Sequence, residues 1–362
     1  MNLTFPHMGN LHMGVRTLMK GLRLDLTVPP PITAKTVALG SRAAPEGSCM
    51  PMKLNLGNFM EALEQGADTI IMAGGWGPCR FGWFAQSEAD ILRDMGYEFE
   101  LLVLERPDAG WRELPSRLKP LGARTGWPQR VRALRAAWQK LLAVEELEDS
   151  RNHFLPRARD KNAVIRLYEQ GRQELERCDE PAEMAQINQK LRRSLQSLPQ
   201  HRRPVPRVGL VGEIYTILEP AANYNIIEEL GRLDVECLCS ARVTDWVNDH
   251  VLGGRAKASE REHILRLARP YIGDTVGGRG QETVGEAVMF ARRRAEGVIQ
   301  IGPLGCMPEL VAQSVLPELS VNENVPVMTL WLDEHSGSGG LQTRLEAFAD
   351  LLRRGPAREE AR

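Results

Sequence analysis

The sequence predicts an α/β protein: two parallel-sheet domains that face a cleft, with an α-helical insertion between them. Three observations carry this reading. Short apolar runs of strand length alternate with amphipathic stretches near both ends of the chain. The middle loses the strands and keeps a helical spacing of apolar residues. Glycine- and proline-rich turns repeatedly join an apolar run to a helical one.

Residues 1–110 form the first α/β domain. Leu3 to Pro6 and Leu24 to Val28 read as strands flanking a helix over Leu11 to Leu22, and Val37-Ala38-Leu39 is a short further strand candidate. A helix from Pro51 to Gln65 leads into the strand Thr69 to Ala73, then a helix over Phe81 to Met95 and the strand Glu98 to Leu104. Gly96 suits the left-handed residue that ends a helix. Residues 111–203 form the helical insertion, with apolar positions at Val131, Leu134, Trp138, Leu141 and Leu142 and again at Val164, Ile165 and Tyr168. The stretch from His201 to Arg207, with Pro204 and Pro206, ends it as a stiff linker. Residues 204–362 form the second α/β domain. Its predicted strands are Val208 to Gly212, Val235 to Ser240, Val298 to Ile301 and Val325 to Leu332, and helices are expected over Tyr224 to Leu230, after Cys306 and over Leu341 to Leu352.

The chain has 362 residues, 43% of them apolar and 26% charged, an ordinary globular composition. A net charge of −1 removes the electrostatic case for nucleic acid binding. The first residues lack the charged and apolar regions of a signal peptide, and no apolar run reaches the length of a membrane span, so a cytoplasmic protein is expected. In that compartment the six cysteines are reduced thiols or ligands rather than disulfides.

Those cysteines are the most informative residues. Cys49, Cys79 and Cys306 each follow a small-residue or glycine turn and open a helical segment. A thiolate there is stabilised by the free N–H groups and the helix dipole, which suits a metal ligand or a reactive thiol. The competing reading is that a cysteine packs as a small hydrophobe. That reading fits Cys178, which falls mid-helix, and Cys237 and Cys239, which share one face of a strand. No CxxC pair is present, so any metal site is assembled from segments far apart in sequence. Open parallel sheets take ligands beyond the carboxyl ends of their strands, and Cys79 and Cys306 sit there, one in each domain.

Two further groups are candidates for catalysis. Glu213, with Tyr215, follows the Val208 strand, where it acts as an acid/base or as an anchor for the neighbouring loops. His335 lies in Asp333-Glu334-His335-Ser336-Gly337-Ser338-Gly339-Gly340, as a proton donor or as a loop residue satisfied by backbone. Glu46, Arg80 and Glu309, beside the three cysteines, are expected to balance charge and fix loops. Gly277-Gly278-Arg279-Gly280 reads as a tight turn rather than an anion loop.

Several of these segments carry a resemblance. Pro45-Glu46-Gly47-Ser48-Cys49-Met50-Pro51, Gly77-Pro78-Cys79-Arg80-Phe81-Gly82, Val211-Gly212-Glu213-Ile214-Tyr215, Pro303-Leu304-Gly305-Cys306-Met307-Pro308-Glu309 and Asp333-Glu334-His335 resemble the motifs of the acyl-CoA dehydratase activase-related proteins. That group is related to the 2-hydroxyacyl-CoA dehydratase and benzoyl-CoA reductase subunits. The resemblance spans both α/β halves and is weakest in the insertion. It implies Rossmann-like domains and an iron-sulfur cluster, [4Fe-4S] or double-cubane, held by Cys49, Cys79 and Cys306. It also implies low-potential electron transfer to a small substrate such as a CoA thioester. Many relatives carry an ATPase domain of the actin and Hsp70 type in the same chain. No such domain is legible here, nor a GxxxxGK[ST] loop, so the implied ATP-hydrolysing activator is a separate protein. A cluster-bearing scaffold or regulatory subunit is the alternative role, and the assembly is open between monomer and homodimer.

Overall fold

A computed structural model of the chain describes residues 1–75, 79–104, 125–251 and 259–354. The expected α/β class is what it shows: two four-stranded, all-parallel sheets of Rossmann-like build among helices. The chain divides into two compact units. Unit one comprises Met1–Ala143, Cys178–Met184 and Val243–Ser259, and unit two Val144–Arg177, Ala185–Arg242 and Glu260–Arg362. The boundary expected between residues 110 and 111, and the start of the insertion at Trp111, lie outside the described residues.

In chain order unit one begins with β1 (Asn2–Thr4), α1 (Leu11–Leu22), β2 (Asp25–Leu26), α2 (Ala34–Ala43), α3 (Met50–Glu64) and β3 (Thr69–Ala73). A 3₁₀ turn (Arg80–Trp83), α4 (Phe84–Asp94) and β4 (Glu100–Leu104) follow. The sheet order is β2-β1-β3-β4. Thr69 to Ala73 pair in register with Glu100 to Leu104. The short Val37-Ala38-Leu39 run is not a strand but lies inside α2. Thr33 caps that helix by accepting from the Thr36 N–H, and the Thr36 hydroxyl in turn accepts from the Thr33 N–H. A reciprocal cap of this kind outweighs the β preference of a lone valine.

Three helices then run in sequence: α5 (Trp127–Phe154), α6 (Lys161–Arg177) and α7 (Pro181–Ser197). They are built into the units. Ala133 joins the core formed by Leu3, Met19 and Leu22 in unit one, and Leu147, Val164 and Leu175 are fully buried in unit two. Cys178 is not mid-helix, because α6 ends at Arg177. Its carbonyl accepts from the fully buried Lys140 ammonium, and α7 starts three residues later.

Unit two continues with β5 (Arg207–Gly212), α8 (Ile214–Leu218), α9 (Pro220–Asn223), α10 (Ile226–Arg232) and β6 (Glu236–Cys239). It ends with α12 (Arg261–Ala268), α13 (Gly280–Arg292), β7 (Gly297–Pro303), α14 (Met307–Asn322), β8 (Val327–Leu332) and α15 (Ser338–Arg354). Between β6 and α12 the short α11 (Val243–Trp246) and a π turn (Val247–Val251) belong to unit one. The sheet order is β6-β5-β7-β8. Every residue of β7 is buried, as expected of a parallel strand covered on both faces. Alternation assigns the faces: Val208, Leu210, Ile299 and Ile301 join α10 and α15 in one core, while Val211 and Val298 join α13 and α14 in the other. Burying each such side chain contributes roughly 1.5–3 kcal/mol. Gly209 is required here, since a Cβ would come within 2.4 Å of the Phe290 ring.

No helix among the described residues is long and apolar enough to cross a membrane.

Candidate functional site

Both sheets share one topological feature. From β1 the chain moves outward to β2 and then crosses back to β3, so the strand order reverses between β1 and β3, and in unit two between β5 and β7. The crevice beyond the carboxyl ends at such a reversal is where open α/β sheets take ligands. Cys79 follows β3 and Cys306 follows β7, so the two thiols occupy equivalent places in their units.

In unit one, Cys49 is the N-cap residue of α3, with Pro51 in the first turn, and Cys79 caps the 3₁₀ turn before α4. As the last helix before β3, α3 runs back along the sheet. Its N-terminus therefore lies at the end where the strands stop. One bond ties the two cysteine turns together: Arg80 Nη1 donates to the Gly47 carbonyl at 2.8 Å. Gly47 holds φ at +76°, a conformation that glycine adopts without strain. Trp76, Gly77 and Pro78, which precede Cys79, lie outside the described residues. Glu46 is exposed beside the turn.

In unit two, Cys306 is the N-cap residue of α14, after Gly305 at φ +77°. Its N–H donates to the Pro303 carbonyl at 3.0 Å, and its carbonyl accepts from Leu310 N–H at 2.9 Å. Leu304 and Met307 on either side are exposed. None of the three cysteine side chains caps its helix by a hydrogen bond, and all three are partly exposed.

The other three cysteines behave as core residues. Cys178 and Cys237 are buried, and burial raises both thiols, Cys237 well above the ordinary range. Burial pushes Cys239 up to about 12, and its Sγ donates to the Ala241 carbonyl at 3.4 Å. All six cysteines are outside disulfides. Among the described residues no three His, Cys, Asp or Glu side chains are gathered as a metal-holding group. The donor chemistry of Cys49, Cys79 and Cys306, soft thiols at helix starts, nonetheless suits iron-sulfur ligation.

Glu213 follows β5 as the N-cap residue of α8. Its carboxylate accepts from the Tyr215 and Thr216 N–H groups at 3.0 and 2.8 Å and from the Thr216 hydroxyl at 2.7 Å. This is the anchoring role among the two expected for it. His335 lies beyond β8 with its side chain 85% exposed, and its N–H donates to Asp333 Oδ1 at 3.0 Å. Gly277 and Gly278 take positive φ, the expected tight turn.

Two groupings were not anticipated from sequence. His7 and His12 stack with ring centroids 6.2 Å apart, one in the loop after β1 and the other in the first turn of α1. The signal was Phe5-Pro6-His7 directly after a strand. In unit two, the 1% exposed Glu309 accepts from Thr283 Oγ1 at 3.0 Å and from Gln300 Nε2 at 2.9 Å, and Gln300 Oε1 accepts from Thr329 Oγ1. A glutamine inside an otherwise apolar buried strand was the legible sign. Burial pushes the Glu309 carboxyl up to about 7, its hydrogen bonds and Arg279 opposing and Glu213 adding to the rise.

A carboxyl raised in the folded state favours folding most where it is protonated. The stability linked to Glu309 is therefore full below about pH 4.5 and is lost as pH rises through about 7. Glu309→Gln is expected to flatten the pH dependence of urea denaturation in that window, by on the order of 3 kcal/mol. An unchanged slope would show that Glu309 ionises as freely in the fold as in the unfolded chain.

No family model and no curated protein matches this chain.

Proposed function

We propose that the chain is a cytoplasmic iron-sulfur protein, related to the 2-hydroxyacyl-CoA dehydratases, in which Cys49, Cys79 and Cys306 together ligate a [4Fe-4S] or double-cubane cluster. The observation that supports this is the like placement of the three thiols, each partly exposed at the N-cap of a helical segment, two of them after equivalent strands. Bound there, the cluster would supply low-potential electrons to a small substrate such as a CoA thioester. A separate ATP-hydrolysing activator of the actin and Hsp70 type is the proposed electron source. The chain's own residues have defined parts in this reading. Arg80 holds the Cys79 turn to the Cys49 turn. Glu309 holds a proton on its carboxyl near neutral pH, three residues from Cys306. The exposed His335 imidazole is the proton donor reachable from solvent.

A second role, a cluster-bearing scaffold or regulatory subunit, is favoured by one observation: the carboxylate of Glu213 is engaged as a helix cap. The two readings differ in whether one iron is open. Three thiolates leave a four-iron cluster one ligand short. In the catalytic reading, cyanide or a small thiol added to the reduced protein perturbs its electron paramagnetic resonance spectrum, and His335→Ala alters that response at unchanged iron content. A spectrum indifferent to both assigns the chemistry to a partner protein.

A further inference from the structure

Helices α3 and α4, which begin beside Cys49 and Cys79, meet through a polar pair sunk in an apolar layer. Asn55 on α3 and Glu88 on α4 are each 2% exposed. Asn55 Nδ2 donates to Glu88 Oε1 at 3.2 Å. The remaining oxygens of the pair, Asn55 Oδ1 and Glu88 Oε2, are both buried and have no hydrogen-bond partner among the described residues. Glu88 borders a small cavity otherwise lined by apolar residues, among them Phe59 of α3, Ile70 and Met72 of β3, Leu92 of α4, and Phe99 and Leu101 at β4. Among the described residues, no titratable or charged side chain other than Glu88 itself lines it.

An ionised Glu88 would leave a charge without a counter-ion and two acceptors without a donor, an arrangement that proteins rarely bury. One proton resolves all three. Placed on Oε2, it removes the charge and supplies the O–H that Asn55 Oδ1 needs, which closes a two-bond ring between a carboxylic acid and an amide. We propose that Glu88 is held as the neutral acid and that its proton, shared with Asn55, forms a pH-sensitive clasp between the two helices. The proposal does not depend on a metal being bound. Burial raises Glu88 well above the ordinary glutamate range, with only the Asn55 hydrogen bond opposing. The folded state then holds a proton that the unfolded chain has released, so stability falls as pH rises above the ordinary glutamate value.

The test compares full-length wild type with Glu88→Gln, whose amide keeps the shape and carries a permanent donor where the proton would be. Urea midpoints are measured from about pH 5 to about pH 9. The wild-type midpoint is expected to fall relative to the variant as pH rises, and infrared spectra at neutral pH should show a component of the protonated-carboxyl stretch in wild type that the variant loses, beyond the contribution of Glu309 that both share. Parallel pH profiles, or absence of that component in wild type, would overturn the proposal. If Glu88→Gln does not fold, the stretch is read in Glu309→Gln, which removes the other carboxyl that holds a proton near neutral pH: its presence there at neutral pH, and loss when the protein is unfolded at the same pH, supports the clasp, and its absence overturns it.

Discussion

Gly57→Ala and Gly40→Ala are each expected to destabilise unit one by roughly 1–3 kcal/mol or more, or to unfold it. A Cβ at Gly40 would lie 1.6 Å from the Lys53 carbonyl oxygen, and one at Gly57 would lie 2.0 Å from that of Thr36. The obstructing atoms are backbone on both sides, so no rotamer change relieves the clash and α2 and α3 must part. The damage reaches the site, because α3 starts at Cys49 and carries Leu54, Leu56 and Phe59, all essentially buried. Gly339→Ala, where an added Cβ meets nothing within 4 Å, is the matched control. Thermal and urea denaturation of the three variants check the expectation. Similar stabilities for Gly57→Ala and Gly339→Ala would mean that α2 and α3 do not approach as closely as described.

Cys49→Ala, Cys79→Ala and Cys306→Ala are each expected to abolish the brown charge-transfer absorbance of the reconstituted protein, and Cys178→Ala to leave it intact. The comparison is clean because the three N-cap thiols make no side-chain cap hydrogen bond. Alanine there removes a ligand with little loss to the helix, about 1 kcal/mol or less. Cys178 is the more buried residue, at 4% exposure, so its replacement leaves a small cavity and a modest loss of stability. The ordering of effects on stability is thus the reverse of that on colour, which separates ligand loss from unfolding. Full colour in any two of the three ligand variants would rule out a shared site.

The elements most legible in the sequence are those whose pattern is local. The helix Leu11–Leu22 and the strand Thr69–Ala73 match residue for residue, because periodicity and flanking turns specify them without help from elsewhere. Val37-Ala38-Leu39 misled because three apolar residues fit either period, and the decision rested on the Thr33 and Thr36 cap. Glu213 was legible as a residue at a strand end but not in its role, which two backbone N–H groups decide. The approach of Gly40 to Lys53, the pairing of Asn55 with Glu88 and the enclosure of Glu309 are contacts between separate segments, and single-sequence patterns carry no record of them. The likeness of the three cysteine turns needed only the order of turn, thiol and helix, and that order was on the surface of the sequence.

The most direct measurement of the central claim is iron and acid-labile sulfide per chain in full-length protein purified or reconstituted without oxygen. Ligation by Cys49, Cys79 and Cys306 predicts about four iron and about four sulfide per chain for a single cube, or about eight iron and about nine sulfide for two cubes joined by a bridging sulfide. A folded, colourless protein that retains neither after reconstitution would contradict it and would leave these cysteines as packed or reactive thiols.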